Sequence, residues 1–194
     1  PNQSSEHLSL KDLADLAYTP FQELPPSVEP GLSVHVSYNP PPAVSSSAVH
    51  MALVEIDKNT YEVKIKDYVV AEDCGTKVNQ AIVEGQVRGG ITQGIGIALL
   101  EELSYDSEGQ LLSGSLMDYL VPGIYETPAI KIVSMETPSP WSVGGFKGVG
   151  ESGTIGAPAT ITNAILDALE VSAQDIQLPL TPERIFRLKN KTKS

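Results

Sequence analysis

The run from Ala81 to Leu103 constrains the fold most, because it carries a helical apolar stripe and five glycines together. Val83, Val87, Ile91, Ile95 and Ala98 recur at helical spacing, and Glu101-Glu102-Leu103 closes the run. Gly85, Gly89, Gly90, Gly94 and Gly96 would each cost about 1 kcal/mol relative to Ala in a helix interior. Tertiary packing or a ligand therefore has to compensate for them. Two readings follow. Gln86, Gly89 or Gly90, and Gln93 fall on one side, where bare backbone and two carboxamides, each able to donate and accept hydrogen bonds, suit a polar heterocycle or a phosphate linker. Alternatively, the glycines let another helix approach closely and the glutamines sit at the rim.

A second glycine cluster, Lys147 to Pro158, holds one carboxylate, Glu151, ahead of a helix expected over Ala159 to Leu169. Gly148, Gly150, Gly153 and Gly156 permit backbone angles and close ligand approach that side chains would forbid. A carboxylate on such a frame suits a general base, whereas the bland alternative is a solvated loop acid beside a turn. A third reading, phosphate on the amides of the helix start, ranks last. There is no Gly-Lys-Ser/Thr ending, and Glu151 would repel the anion.

The rest of the chain reads as α+β, with mixed sheets and packed helices. Ser9 with Asp12 caps a helix whose apolar side is Leu10, Leu13, Ala14 and Ala17, ending by Thr19-Pro20. Among the prolines from Pro20 to Pro42, the alternation Leu32 to Tyr38 predicts one strand. Val49 to Asp57 and Tyr61 to Ala71 predict a hairpin around Lys58-Asn59-Thr60. Asp106-Ser107-Glu108-Gly109 predicts a turn between short strands, and Ile130 to Met135 a further strand. Glu136 to Gly148 forms a long loop, and Thr181-Pro182 starts a last helix. Residues 1–44 form an extended, proline-rich lead-in and 45–194 a core with the site loops.

Composition excludes several classes. Against 24 acidic residues stand 13 basic ones, a formal charge of −11, which disfavours nucleic acid and anionic membranes as partners. One cysteine leaves no internal disulfide and no cysteine-rich metal or iron–sulfur site, in keeping with a reducing, cytoplasmic setting. No apolar run is long enough to span a bilayer. The start lacks both an initiator Met and the charged-then-apolar order of a signal peptide, so a processed product or fragment is expected.

Four pieces in order carry a family resemblance: Val54-Glu55-Ile56-Asp57, Asp73 to Asn79, Glu84 to Gly90 with Gln93-Gly94-Ile95-Gly96, and Lys147 to Gly153. Ser115 to Tyr119 and Glu136 to Pro140 fit the same register. The chain resembles the C-terminal part of the molybdenum-binding large subunit of the xanthine oxidase family, close to the aerobic carbon monoxide dehydrogenases and their hydroxylase relatives. The resemblance implies that Glu151 takes a proton from a molybdenum-bound hydroxyl during hydroxylation of an electron-poor carbon in an N-heterocycle, purine or aldehyde. It implies that Gly150 and Ser152 lie beside the metal and that Gln86 contacts the molybdopterin. Gly89 and Gly90 would border the cofactor, and Gly75 and Thr76 would lie near its phosphate end. No side chain is expected to ligate the metal directly. The cofactor would be molybdenum-molybdopterin, in its cytosine dinucleotide form if bacterial. Iron–sulfur clusters and FAD would sit on partner chains of a hetero-oligomer that also includes the remainder of the molybdenum-binding subunit. Asp73 reads as a strand end and Cys74 as a small buried residue. Gln80 and Arg88 depart from the family pattern, which usually has Pro and His there. The family subunit is several times longer, so this chain is expected to be catalytically silent alone. An assembly role without catalysis is the rival reading.

Overall fold

The computed structural model describes residues 7–18, 29–39, 44–172 and 176–191. The chain divides into two units, Pro1–Pro40 and Pro41–Ser194. In the first, helix α1 (Leu10–Tyr18) starts at the anticipated capping box. Ser9 N and Oγ donate to Asp12 Oδ2 at 3.0 and 2.7 Å, and Asp12 N donates to Ser9 Oγ at 3.2 Å, satisfying amides that the helix start leaves open. After Gly31, whose φ is +105°, the chain returns to α1. Gly31 N donates to Ala17 O and Leu32 N to Tyr18 Oη. The strand expected over Leu32 to Tyr38 does not form, and Val34, Val36 and Tyr38 are exposed. Alternation supplies an apolar face, but a strand also needs a partner ladder for its backbone groups, and no described residue provides one. The prolines at 20–26 and 40–42 lie outside the described residues.

In the second unit β1 (Ser47–Ile56) and β2 (Val63–Asp73) form the expected antiparallel hairpin. Asp57 Oδ1 accepts the amides of Asn59 and Thr60 at 2.8 and 2.9 Å. Tyr61 takes a left-handed φ of +61° to complete the turn. Opposite Leu53 and Val54, β2 carries one extra residue, and its inward phase passes from Ile65 to Tyr68 while β1 alternates without a break. Helix α2 (Gln80–Leu99) then leads to β3 (Ile130–Met135), which lies parallel to β2, giving a mixed sheet of order β1-β2-β3. The predicted short strands around Asp106 reduce to a single bridge, Tyr105 with Leu111. Between them the Asp106 carboxylate takes the amides of Glu108 and Gln110.

Helix α2 buries Val83, Val87, Ile91, Ile95 and Ala98, the stripe read from the sequence. It stops at Leu99 rather than at Leu103, because the amides of Leu100 and Glu101 both fold back onto Gly96 O. Helix α3 (Ser152–Leu169) begins seven residues before the expected Ala159 and carries Pro158 inside it. The glycines explain the difference. A Cβ on Gly153 would lie 2.6 Å from Val87 O and 3.0 Å from Gly90 Cα, and one on Gly94 would lie 2.5 Å from Ala157 Cβ. Gly90, Gly94 and Gly153 thus form a backbone-to-backbone contact between α2 and α3. Packing gained there outweighs the poor intrinsic propensity that had placed these residues in a loop. The core joins that contact to Tyr68 and Val70 of β2, Ile161 and Ile165 of α3, and Leu180 and Ile185 at helix α4 (Pro182–Lys191). The whole is an α+β arrangement of a mixed sheet with packed helices.

Candidate functional site

The loop preceding α3 is fastened to the end of β2. Asp73 Oδ1 accepts the amides of Gly75 and Thr137 at 2.9 and 3.0 Å and lies 3.4 Å from Lys147 Nζ. The Thr137 hydroxyl, followed by these amides, holds the Asp73 carboxyl well below the usual carboxylate range, with Lys147 assisting. Lys147 N donates to Cys74 O, and Thr76 N to Gly145 O. Gly75 is obligatory: its φ is +68°, and a Cβ there would lie 2.2 Å from Gly145 O. Gly75 and Thr76 therefore anchor the loop that leads to Glu151.

Glu151 is the residue preceding α3. Its carbonyl accepts the first intrahelical bond, from Ile155 N, while its carboxylate makes no capping hydrogen bond and is exposed. The amides of Ser152, Gly153 and Thr154 consequently have no acceptor within the helix, which leaves a positive end beside the acid. Glu151, Gly150 and Ser152 line a cleft of about 430 Å³ together with Gly148, Ile155 and Gly156. Its opposite wall is β1 and the residues before it, Val44, Ser46, Ala48 and His50. A side chain at Gly148 or Gly150 would meet nothing within 4 Å, so backbone there is open to an approaching group. None of the four glycines of the 147–158 cluster has a positive φ; close approach, not unusual backbone angles, accounts for Gly153 and Gly156.

The other candidates are distributed differently. Gln86, Gly89 and Gln93 lie on an exposed stripe of α2, and no atom comes within 4 Å of a Cβ built on Gly89. Gly90 is instead buried against Thr154 and Gly153. Thr154 Oγ1 lies 3.3 Å from both Gly90 O and Gln93 Oε1, so the α2 stripe abuts the first turn of α3. Gln86, Gly89, Gly90, Gly75 and Thr76 are not part of the cleft lining. Arg88, one of the departures, donates to Ile130 O and ties α2 to β3. A second depression, of about 670 Å³, lies at the hairpin end of the sheet beside Asp57 and Leu180 and contains no sequence candidate.

Two residues of this neighbourhood escaped the sequence reading. His50 Nδ1 is 2.8 Å from Tyr68 Oη, its Nε2 is buried without a partner, and its ring contacts Gly156, where a Cβ would lie 2.7 Å away. Burial lowers the His50 pKa, opposed only by the Ser152 backbone. Glu72 is 1% exposed, and neither carboxylate oxygen has a hydrogen-bond partner. A signal existed for both: each occupies an inward phase of an otherwise apolar strand, Ala48-His50-Ala52 and Tyr68-Val70-Glu72. Among the described residues no group of three or more His, Cys, Asp or Glu could hold a metal ion, and no helix is long and apolar enough to cross a membrane.

Comparison with known proteins places these features in context. Residues 2–128 match the molybdopterin cofactor-binding domain family. Over 185 residues the chain is 40% identical to the nicotine 6-hydroxylase large subunit of Paenarthrobacter nicotinovorans, covering 95% of this chain and 23% of that protein. The crystal structure of quinoline 2-oxidoreductase from Pseudomonas putida 86 superposes with a TM-score of 0.68 at 51% identity, covering 73% of this chain and 18% of that one. The copper–molybdenum carbon monoxide dehydrogenase, in its carbon monoxide reduced state, gives 0.79 at 34% identity, with 94% and 23% covered. The chain spans about a fifth of the length of these relatives.

Proposed function

We propose a function from the premise that this chain belongs to the molybdopterin cofactor-binding domain family, within the xanthine oxidase group of molybdenum enzymes. It contributes the proton acceptor and part of the cofactor cradle to an oxidoreductase that hydroxylates an electron-poor carbon of an N-heterocycle, purine or aldehyde with water. The observation that carries this reading is the cleft in which the uncapped Glu151 carboxylate stands beside Gly150, Ser152 and the open amides of α3.

The residues present fit a molybdopterin. Open backbone at Gly148 and Gly150 lets a cofactor group approach closely, and the first amides of α3, which have no acceptor within the helix, can donate to it. When bound, the cofactor supplies the two-electron oxidation. The chain's own residues do the rest. Amides of Gly150 and Ser152 orient the acceptor groups of the cofactor. Gln86 and the open edge at Gly89, with Gly90 beneath it, border the pterin, while Gly75 and Thr76 secure the loop toward the phosphate end. Glu151 accepts the proton released from water at its carboxylate, a step in which a positioned base contributes roughly 10²- to 10⁴-fold. In the full reading the cofactor is the cytosine dinucleotide form, and iron–sulfur clusters and FAD reside on an iron–sulfur subunit and an FAD subunit. The remainder of the molybdenum-binding subunit completes the substrate pocket of a cytoplasmic hetero-oligomer.

Glu151→Gln in the purified complex tests this. Loss of turnover with molybdenum content and assembly unchanged is the expected result. Full turnover in that variant would refute the role and favour an assembly subunit without catalysis.

A further inference from the structure

We propose that His50 is a positioning residue for Glu151: its imidazole, tied to Tyr68 and seated in the notch left by Gly156, sets how far the start of α3 stands from β1, and with it the width of the cleft. His50 occupies an inward phase of β1, with Val70 as its Cα partner on β2. One end of the ring is held by Tyr68, which is fully buried. Tyr68 Oη lies 2.8 Å from Nδ1, and the two rings meet edge-to-face at 5.9 Å. At the other end a Cβ on Gly156 would lie 2.7 Å from Cδ2, 2.8 Å from Nε2 and 3.0 Å from Cε1. Those three atoms are the far edge of the imidazole, so that edge rests on the backbone of α3. Nε2 is buried there without a partner, a cost that an apolar side chain of the same shape would avoid. What the imidazole adds is the bond to Tyr68, which keeps the ring from swinging away from Gly156.

The contact reaches Glu151 through the helix. Gly156 lies little more than one turn after Glu151, and Glu151 O accepts Ile155 N at 3.0 Å, so the backbone of the acid moves with this turn. The same stretch is fixed independently at Gly153, where a Cβ would lie 2.6 Å from Val87 O of α2. Helix α3 is therefore gripped twice, by α2 at Gly153 and by His50 at Gly156, and each grip requires a missing side chain. His50, Gly156 and Glu151 all line the cleft, the ring on one wall and the notch and the acid on the other. The depth to which the ring seats thus fixes the separation of the walls. That spacing stands on its own; its effect on turnover rests on the proposed role of Glu151.

The test uses the purified complex with its cofactor and three variants. Gly156→Ala adds one methyl group against the ring, His50→Ala removes the ring, and the double variant combines them. Ala is the better helix former, so Gly156→Ala should raise the hydrogen–deuterium exchange protection of residues 148–156 wherever the ring does not oppose it. With His50 present it should instead lower that protection about tenfold, as overpacking does; in the His50→Ala background it should raise it. Such a reversal of sign is the coupling of two groups in direct contact, and a substitution that merely destabilises α3 would not produce it. Turnover is read with quinoline, hypoxanthine and benzaldehyde as probes of the three substrate classes. Gly156→Ala should lower kcat about tenfold to a hundredfold with little change in KM, the scale of a catalytic group displaced by about 1 Å. His50→Ala should also lower kcat, and the double variant should be no slower than His50→Ala. If Gly156→Ala prevents assembly, the double variant should restore it. Equal effects of Gly156→Ala in both backgrounds, or a His50→Ala complex unchanged in exchange, would overturn the proposal. Exchange that reverses while kcat stays at the wild-type level would leave only a structural contact and overturn the positioning role. If Glu151→Gln is fully active, or the wild-type complex turns over none of the three probes, the functional reading has failed, and the sign of the exchange change still decides the spacing.

Discussion

Substituting alanine at two glycines that look alike in the sequence should move stability in opposite directions. At Gly89 no atom lies within 4 Å of the new Cβ, so Gly89→Ala gains helix propensity alone, about 0.5–1 kcal/mol. At Gly153 the new Cβ would meet Val87 O at 2.6 Å, Ile91 N at 2.9 Å and Gly90 Cα at 3.0 Å. All three are backbone atoms of α2, so relief requires the helices to separate by most of an ångström and to loosen Ile91, Ala157 and Ile161. Overpacking of this kind costs roughly 1–3 kcal/mol and sits at the upper end when no side chain can yield. After the propensity gain, Gly153→Ala should lose about 2 kcal/mol. The two variants should then differ by about 3 kcal/mol, on the order of a hundredfold in the local opening equilibrium of α2 and α3. Hydrogen–deuterium exchange read at peptides from both helices measures that equilibrium directly in the intact protein. Equal or greater protection in Gly153→Ala would refute the claim that α2 and α3 touch backbone to backbone.

Other outcomes follow from the same geometry. Gly89→Ala should lower molybdenum retention during gel filtration even while it raises exchange protection, because the open edge of α2 is proposed to border the cofactor; unchanged retention removes Gly89 from the cradle. The Asp73 carboxyl is held below its usual range, so its contribution is full above the unfolded pKa and lost as pH falls through the folded one. Asp73→Asn should loosen residues 136–147 at neutral pH and flatten the acid limb of unfolding followed by fluorescence of Trp141. Burial pushes the Tyr68 hydroxyl up to about 12, so it stays neutral and hydrogen-bonded to His50. Tyr68→Phe strands His50 Nδ1 and should cost about 1–3 kcal/mol, measured by chemical denaturation. No loss there would mean that the His50–Tyr68 contact is inconsequential.

Local chemistry made much of this chain legible in advance. The Ser9–Asp12 box, the hairpin around Asp57, the α2 stripe and the bounds of β3 each rest on residues a few positions apart, whose side chains satisfy nearby amides or repeat with the period of the element. The same local reading failed where a distant partner decides. Leu32 to Tyr38 alternates as a strand should and finds no ladder among the described residues. Gly153, Gly156 and Pro158 look like loop residues, yet they lie inside α3 because α2 and His50 leave room only for glycine at the first two.

Sequence alone determined the hairpin, the α2 stripe, β3, the family resemblance and Glu151 as the acid to watch, since periodicity, capping and motif order are properties of neighbours along the chain. Tertiary structure decided which glycines are contacts and which are open surface, and it placed Gly150, Glu151 and Ser152 across a cleft from His50. It also buried Glu72 with no hydrogen-bond partner for either carboxylate oxygen. These are questions of distance and solvent access between segments some 60–100 residues apart, and desolvation acts only once the sheet and α3 have closed over the groups it changes.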